Sequence, residues 1–129
     1  MLERRNVWWT GFSTNKNNFQ FFNKKHIMNY TNYIGRKVII RANRAGVFYG
    51  TLTQKDGDEV ELTDCRRLWY WDGAASISEI ALSGVCEPNS CKFSVSVASI
   101  IICGVIEILP CTDAAVKSIK SVPIWKMSR

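Results

Sequence analysis

A single histidine, His26, and five cysteines without one Cys-x-x-Cys pair are all that this 129-residue chain offers a transition metal, so a zinc site is not expected. The cysteines (Cys65, Cys86, Cys91, Cys103 and Cys111) read instead as small, mostly buried hydrophobes. A Cys-His catalytic pair would have to use His26. No Walker loop, Gly-x-Gly-x-x-Gly turn or nucleophile elbow is present. The longest weakly polar run, Val95 to Pro110, is interrupted by Ser96, Ser99 and Glu107 and falls short of the ~20 apolar residues that span a bilayer, so no membrane helix is expected. No basic segment leading into an apolar stretch and a small-residue cleavage site opens the chain, so no secretory signal is expected either. Convincing acid-base pairs are also missing. Asp56, Asp58, Glu59 and Glu61 share a predicted exposed hairpin, and Glu107 stands alone in an apolar strand, where a buried carboxylate would need a partner.

What is there suits one hydrophobic core, since 47% of the residues are hydrophobic and 22% charged. The formal charge of +6 is uneven. Residues 1–27 hold five basic residues and one acid, whereas residues 28–129 hold twelve basic and ten acidic residues, a net +2. That balance leaves no broad basic footprint and weighs against nucleic acid as the partner, although a local cluster can still bind an anion. Between Asn15 and Ile27, eleven of thirteen residues are Asn, Lys, Phe or Ile, whose codons are rich in A and T. Residues 1–27 therefore read as translated upstream sequence or a disordered arm, with Met28 as initiator and 28–129 as a single domain. The competing reading is a basic aromatic arm carrying Trp8, Trp9, Phe19, Phe21 and Phe22.

Lys37 to Ala42 and Val47 to Gln54 predict two strands, separated by turn chemistry at Asn43-Arg44-Ala45-Gly46. Asp56-Gly57 predicts a type I′ hairpin. The strand after it puts Val60 and Leu62 on one face, and a further strand, Cys65 to Trp71, puts Leu68 and Tyr70 opposite Arg67, Trp69 and Trp71. Ser76-Ile-Ser-Glu79 is a capping box for a short helix with Ile77, Ile80 and Ala81 on one stripe, closed by a left-handed cap at Gly84. Cys91 to Val97 alternates, with Phe93, Val95 and Val97 together, and Ile100 to Leu109 predicts one central strand. Thr112 and Asp113 begin a second helix with the stripe Ala115, Val116 and Ile119, stopped by Pro123. Three hairpin-length connections and two short helices give an α+β fold, a small curved antiparallel sheet or partial barrel with two short helices.

Cys65-Arg66-Arg67-Leu68-Trp69-Tyr70-Trp71 is the most informative segment. Arginine beside tryptophan offers planar donors for phosphate and a π surface for a base, the two things a nucleotide presents. The same residues also fit tryptophans packed under a helix or in a subunit interface, with solvated arginines. Lys92-Phe93-Ser94 offers a second cation beside an aromatic, or simply a core phenylalanine. Lys117 and Lys120 lie on the last helix near Trp125-Lys126, where an exposed charged face is the default. Arg41 and Arg44 flank a turn and point into the same site or into water.

Gly50-Thr-Leu52, Arg66-Arg-Leu-Trp-Tyr-Trp71 with Gly73-Ala74, Cys91-Lys-Phe-Ser-Val95, Ile106-Glu-Ile-Leu-Pro-Cys-Thr112 and Ser118-Ile-Lys-Ser-Val-Pro-Ile-Trp125 occur in order. Together they resemble the first-described class of Thoeris anti-defense proteins of phages and prophages, over about residues 34–126. The resemblance implies a non-enzymatic sponge in the host bacterial cytoplasm. It would bind the cyclic ADP-ribose signal made by bacterial Toll/interleukin-receptor domains and keep it from the host effector. Some members also hold cyclic oligonucleotides at a separate site. The resemblance further implies a homo-oligomer with pockets at subunit interfaces, no cofactor, and ligand-binding roles for Phe93, for Arg66 and Arg67, and for Lys120, to which the Arg and Trp strand face adds Trp69. Lysine at 120 departs from the arginine of that pattern and replaces a bidentate fork by a point charge. A purine with about two negative charges needs only a few cations and one stacking surface, which suits a net +2. The alternative from the same Arg and Trp face is a small-barrel module for single-stranded nucleic acid.

Overall fold

The computed structural model describes residues 30–128. The division between residues 27 and 28, the aromatic arm and His26 lie outside them. The elements are β1 (Lys37–Ala42), β2 (Gly46–Asp56), β3 (Glu59–Tyr70), α1 (Ile77–Ser83), β4 (Lys92–Phe93), β5 (Val97–Ile102), β6 (Val105–Pro110) and α2 (Asp113–Ser121). The six strands form one antiparallel sheet in the order β4-β3-β2-β1-β6, with β5 also on β3. The long strand β3 thus has β2 along one side, and β5 and then β4 along the other. The fold is α+β, and the sheet is strongly curved without closing.

A two-residue connection explains the curvature. In a flat sheet β5 and β6 would lie four strand spacings apart, about 19 Å. Cys103-Gly104 allows Ile102 and Val105 to be at most about 11 Å apart. The sheet must therefore curl to bring its margins together at this end. Hydrogen bonds fix the curl: the Asn43 amide donates to the Gly104 carbonyl at 2.7 Å, and the Val105 amide to the Asp58 carbonyl at 2.9 Å. The predicted central strand Ile100 to Leu109 is accordingly two strands at the sheet's margins. A near-continuous apolar run carries no periodicity to reveal the break, which falls at Gly104 with φ +73°.

Alternation along the strands fills two cores. Val38, Ile40, Phe48, Leu52, Val60 and Leu62 point into the curled sheet, where Cys65 and Ile102 join them. Ile39, Tyr49, Leu68 and Phe93 point outward and are covered by Ile80 and Ala81 of α1 and Ala115 and Ile119 of α2. The two helices meet through polar contacts as well. Thr112 caps α2 by accepting from the Ala115 amide and donates its hydroxyl to the Leu82 carbonyl at 2.6 Å, while Ser118 accepts from Val85 N–H and donates to the Val85 carbonyl.

Several local expectations change. The two strands expected over 59–71 are one, because Asp64 forms a bulge (φ +52°) that interrupts the pleat without ending the strand. Gly50 lies opposite, where an added Cβ would sit 3.1 Å from the Thr63 carbonyl oxygen. In the β2–β3 hairpin Asp56 pairs with Glu59, so Gly57 and Asp58 form the centre, and Gly57 alone has positive φ, as in a type II′ turn rather than I′. Glu79 reaches the Ala75 amide (2.7 Å) instead of the Ser76 amide of a capping box. Gly84 has φ +79° but ψ −153°, which is not a left-handed helical cap. Glu107 is exposed on the edge strand β6 and paired with Arg41 (2.7 Å). No helix of the described residues is long and apolar enough to cross a membrane.

Candidate functional site

The bulge at Asp64 decides where the two arginines go. Ahead of it the even-numbered residues of β3 face the inner core, whereas beyond it Cys65 does. Arg66 is left facing the helices and Arg67 facing inward, and because strand neighbours point to opposite faces they cannot share one ligand.

On the helix side Arg66 lines a cavity of about 350 Å³ together with Lys37, Tyr49, Asp64, Ser96, Lys120 and Ile124. The Arg66 guanidinium is heavily engaged. Nε donates to the Ser94 carbonyl (2.9 Å), Nη1 to Ile119 (3.0 Å), and Nη2 to Phe93, Val122 and Pro123 (3.2 Å each). Several of these acceptors lie at the C-terminal end of α2, where helix carbonyls lack intrahelical donors and carry partial negative charge. Of the five guanidinium hydrogens, one on Nη1 has no acceptor among the described residues.

The rest of the cavity wall is a small charge network. Asp64 accepts from the Ser96 hydroxyl and from Lys37 (3.1 Å), which hold its carboxyl below the usual range. The Lys37 ammonium lies 5.5 Å from the centroid of the Tyr49 ring. Burial pushes the Tyr49 hydroxyl up to about 12, so it stays protonated and able to donate at neutral pH. Lys120, in the last turn of α2, forms no salt bridge among the described residues and contributes an exposed cation.

The inner side ends in a second cavity, of about 580 Å³, where the curled sheet opens between the β1–β2 and β5–β6 turns. Arg44, Arg67, Phe48, Ile100 and Cys103 line it. Arg67 donates to the Ala45 carbonyl (2.9 Å) and lies 4.5 Å from the Phe48 ring centroid.

The five residues expected to bind ligand are therefore divided. Arg66 and Lys120 share the helix-side cavity and Arg67 lines the inner one. Trp69 is exposed and stacks on Trp125 with centroids 6.4 Å apart. Phe93 is fully buried in the helix-side core, with its ring 5.6 Å from the Arg66 guanidinium, so it offers no stacking face to a ligand in this conformation. Trp71, past the end of β3, packs against the helix-side core instead of extending the Arg67–Trp69 face. Val95 and Val97 do not share the burial of Phe93. Nothing local in the sequence marks Lys37 and Tyr49, because no motif surrounds them. The hairpin register, which pairs Tyr49 with Arg66, is the signal that places the tyrosine there.

Among the described residues no group of three or more His, Cys, Asp or Glu side chains gathers as a metal site. Burial raises the Cys65 and Cys111 thiols to about 11, far from the thiolate form. The family model for a domain of unknown function, DUF6948, matches residues 35–119, about two thirds of the chain. The chain belongs to the DUF6948 family. The DUF6948 match takes in all six strands, α1 and most of α2, and stops one residue before Lys120. No curated protein matches the chain.

Proposed function

We propose that the protein is a non-enzymatic sponge that holds a cyclic ADP-ribose-type signal in the helix-side cavity and releases it unchanged. The observation that carries this reading is the convergence of Lys37, Tyr49, Arg66 and Lys120 around one cavity, about 350 Å³ in volume. That volume lies within the range of about 300–1,000 Å³ common for small-molecule sites. Two ammonium groups and the remaining Nη1 hydrogen suit a diphosphate. The chemistry at hand suits retention better than cleavage. Asp64, held low, is a weak base, and Tyr49, pushed up to about 12, is a weak acid at neutral pH.

In the setting implied by the resemblance, a phage or prophage product in the host cytoplasm removes the signal of a Thoeris-type defence. Subunits of a homo-oligomer would close the cavity mouth and slow release. A second ligand suits the inner cavity, because Arg44 and Arg67 both line it, Arg67 lying over the buried Phe48 ring. A cyclic oligonucleotide is the ligand we assign there.

Isothermal titration with cyclic ADP-ribose, followed by heat release and mass spectrometry, tests the reading. Saturable binding and recovery of the intact ring are expected. Recovery of linear ADP-ribose above the level of a heat-killed control would make the protein a hydrolase, and the absence of binding would remove the sponge.

A further inference from the structure

The chain leaves large aromatic surface in water at a place that neither cavity uses. Trp69 is 64% exposed, Tyr70 50% and Trp125 47%. The two indoles come from distant segments, yet their planes lie 12° from parallel. The backbone holds them there. Trp69 is part of β3, where a register shift against β4 between Leu68 and Tyr70 breaks the alternation that would send Trp69 and Tyr70 to opposite faces, and the Trp125 amide donates to the Phe93 carbonyl at 2.9 Å beside a parallel bridge between Phe93 and Ile124. Just upstream, Arg66 ties down the carbonyls of Val122 and Pro123. A cation completes the group. Lys92 Nζ lies 5.6 Å from the Trp125 ring centroid and 5.9 Å from that of Tyr70, and Lys92 forms no salt bridge among the described residues.

We propose that Trp69, Tyr70, Lys92 and Trp125 form a stacking platform for a short stretch of single-stranded nucleic acid. Preset parallel rings accept the π face of any base, and an unpaired ammonium at their edge meets the negative phosphate that follows it. The next acid along the chain, Asp72, turns its carboxylate back onto the Gly73 amide (2.8 Å). The net +2 of residues 28–129 leaves no broad basic footprint and Lys92 is the cation at these rings, so the contact is assigned one or two phosphates. The platform is separate from the cyclic ADP-ribose cavity and does not depend on it. An apolar protein partner or a second copy of this chain is the competing occupant.

Tryptophan quenching by an eight-nucleotide oligodeoxyadenylate, beside an abasic octamer of equal charge, tests the platform. Saturable quenching by the first and none by the second is expected. The slope of log affinity against log salt should be shallow, about −0.7 to −1.4 for one or two phosphates. Trp69→Ala and Trp125→Ala should each weaken binding about tenfold or more, Trp69→Phe less, with melting temperature and cyclic ADP-ribose affinity unchanged. Absence of quenching, equal quenching by the abasic octamer, or full affinity in both alanine variants would overturn the proposal. So would sedimentation showing that the Trp69→Ala change dissolves an oligomer that the oligonucleotide does not disturb.

Discussion

On the helix side of β3 the guanidinium of Arg66 is committed to five backbone carbonyls, whereas on the inner side Arg67 gives its side chain to one, that of Ala45. The two residues are adjacent and chemically identical, so the difference comes from what faces them. The helix side presents the C-terminal carbonyls of α2, which need donors wherever water is thin. The inner side presents an aromatic ring and an open mouth. One arginine consequently builds the wall of a cavity and the other offers a cation within one. The same contrast runs through the aromatics, since Phe93 fills core on the helix side while Trp69 stands in solvent.

The harshest way to break the comparison is Phe93→Ala. Removing a fully buried ring should cost about 3–5 kcal/mol of stability, read as a drop in the urea midpoint at unchanged slope. If the ring instead served mainly as a stacking surface, ligand affinity would fall while stability held. Trp69→Ala, on the exposed side, should leave the midpoint within about 0.5 kcal/mol of the parent.

The arginine pair gives the next largest difference. Arg66→Ala removes four partly buried hydrogen bonds and one exposed one to carbonyls at the end of α2 and at Phe93 and Ser94, and with each contributing about 0.5–1.5 kcal/mol a total of about 3 kcal/mol is expected. Arg67→Ala loses one hydrogen bond and a ring contact, about 1 kcal/mol. Equal losses in denaturant unfolding would show that the two sides hold their arginines alike.

Much of this fold is legible in the sequence, because the β-branched run in Lys37–Ala42, the alternation over Val60–Leu62 and the Ser76 and Thr112 caps are local signals. The two-sided site is less so. One residue, Asp64, shifts the phase of β3, and no pattern in the sequence marks it, since aspartate at a positive φ looks like any other strand polar residue. Arg66 read as a phosphate ligand for the same reason: its acceptors are backbone carbonyls nearly 30 to nearly 60 positions away, which carry no side-chain identity to recognise. The exposed Trp69 was visible as a candidate, but its partner Trp125 arrives only through the C-terminal segment that β4 and Arg66 hold in place.

Lys120 separates binding from stability on the helix side. Lys120→Ala should weaken cyclic ADP-ribose binding by tenfold or more, since a charge-assisted contact contributes about 1.5–3 kcal/mol, while the exposed position leaves unfolding nearly unchanged. Arg67→Ala should leave that affinity alone and weaken cyclic oligonucleotide binding instead. Calorimetry on both variants with both ligands checks the assignment, and a crossed pattern would exchange the roles of the two cavities.

The smallest effect tests the hinge between the sides. Asp64 is held below its usual carboxyl range first by the Ser96 hydroxyl and then by Lys37. A lowered folded-state pKa means the unfolded chain binds the proton more readily, so the contribution to stability is full above the unfolded value, near 4, and fades as pH falls through the folded value. Asp64→Asn isolates it, because asparagine tolerates the positive φ of the bulge and still accepts from Ser96, but gives up the charge facing Lys37. The parent should exceed the variant by less than about 1 kcal/mol at neutral pH, given how exposed the pair is. That margin should shrink steadily below about pH 4 and also at high salt. A margin that stays constant from neutral to acid pH would mean that the bulge is held by backbone geometry alone, and that the phase shift sending Arg66 and Arg67 to opposite sides owes nothing to the charge on Asp64.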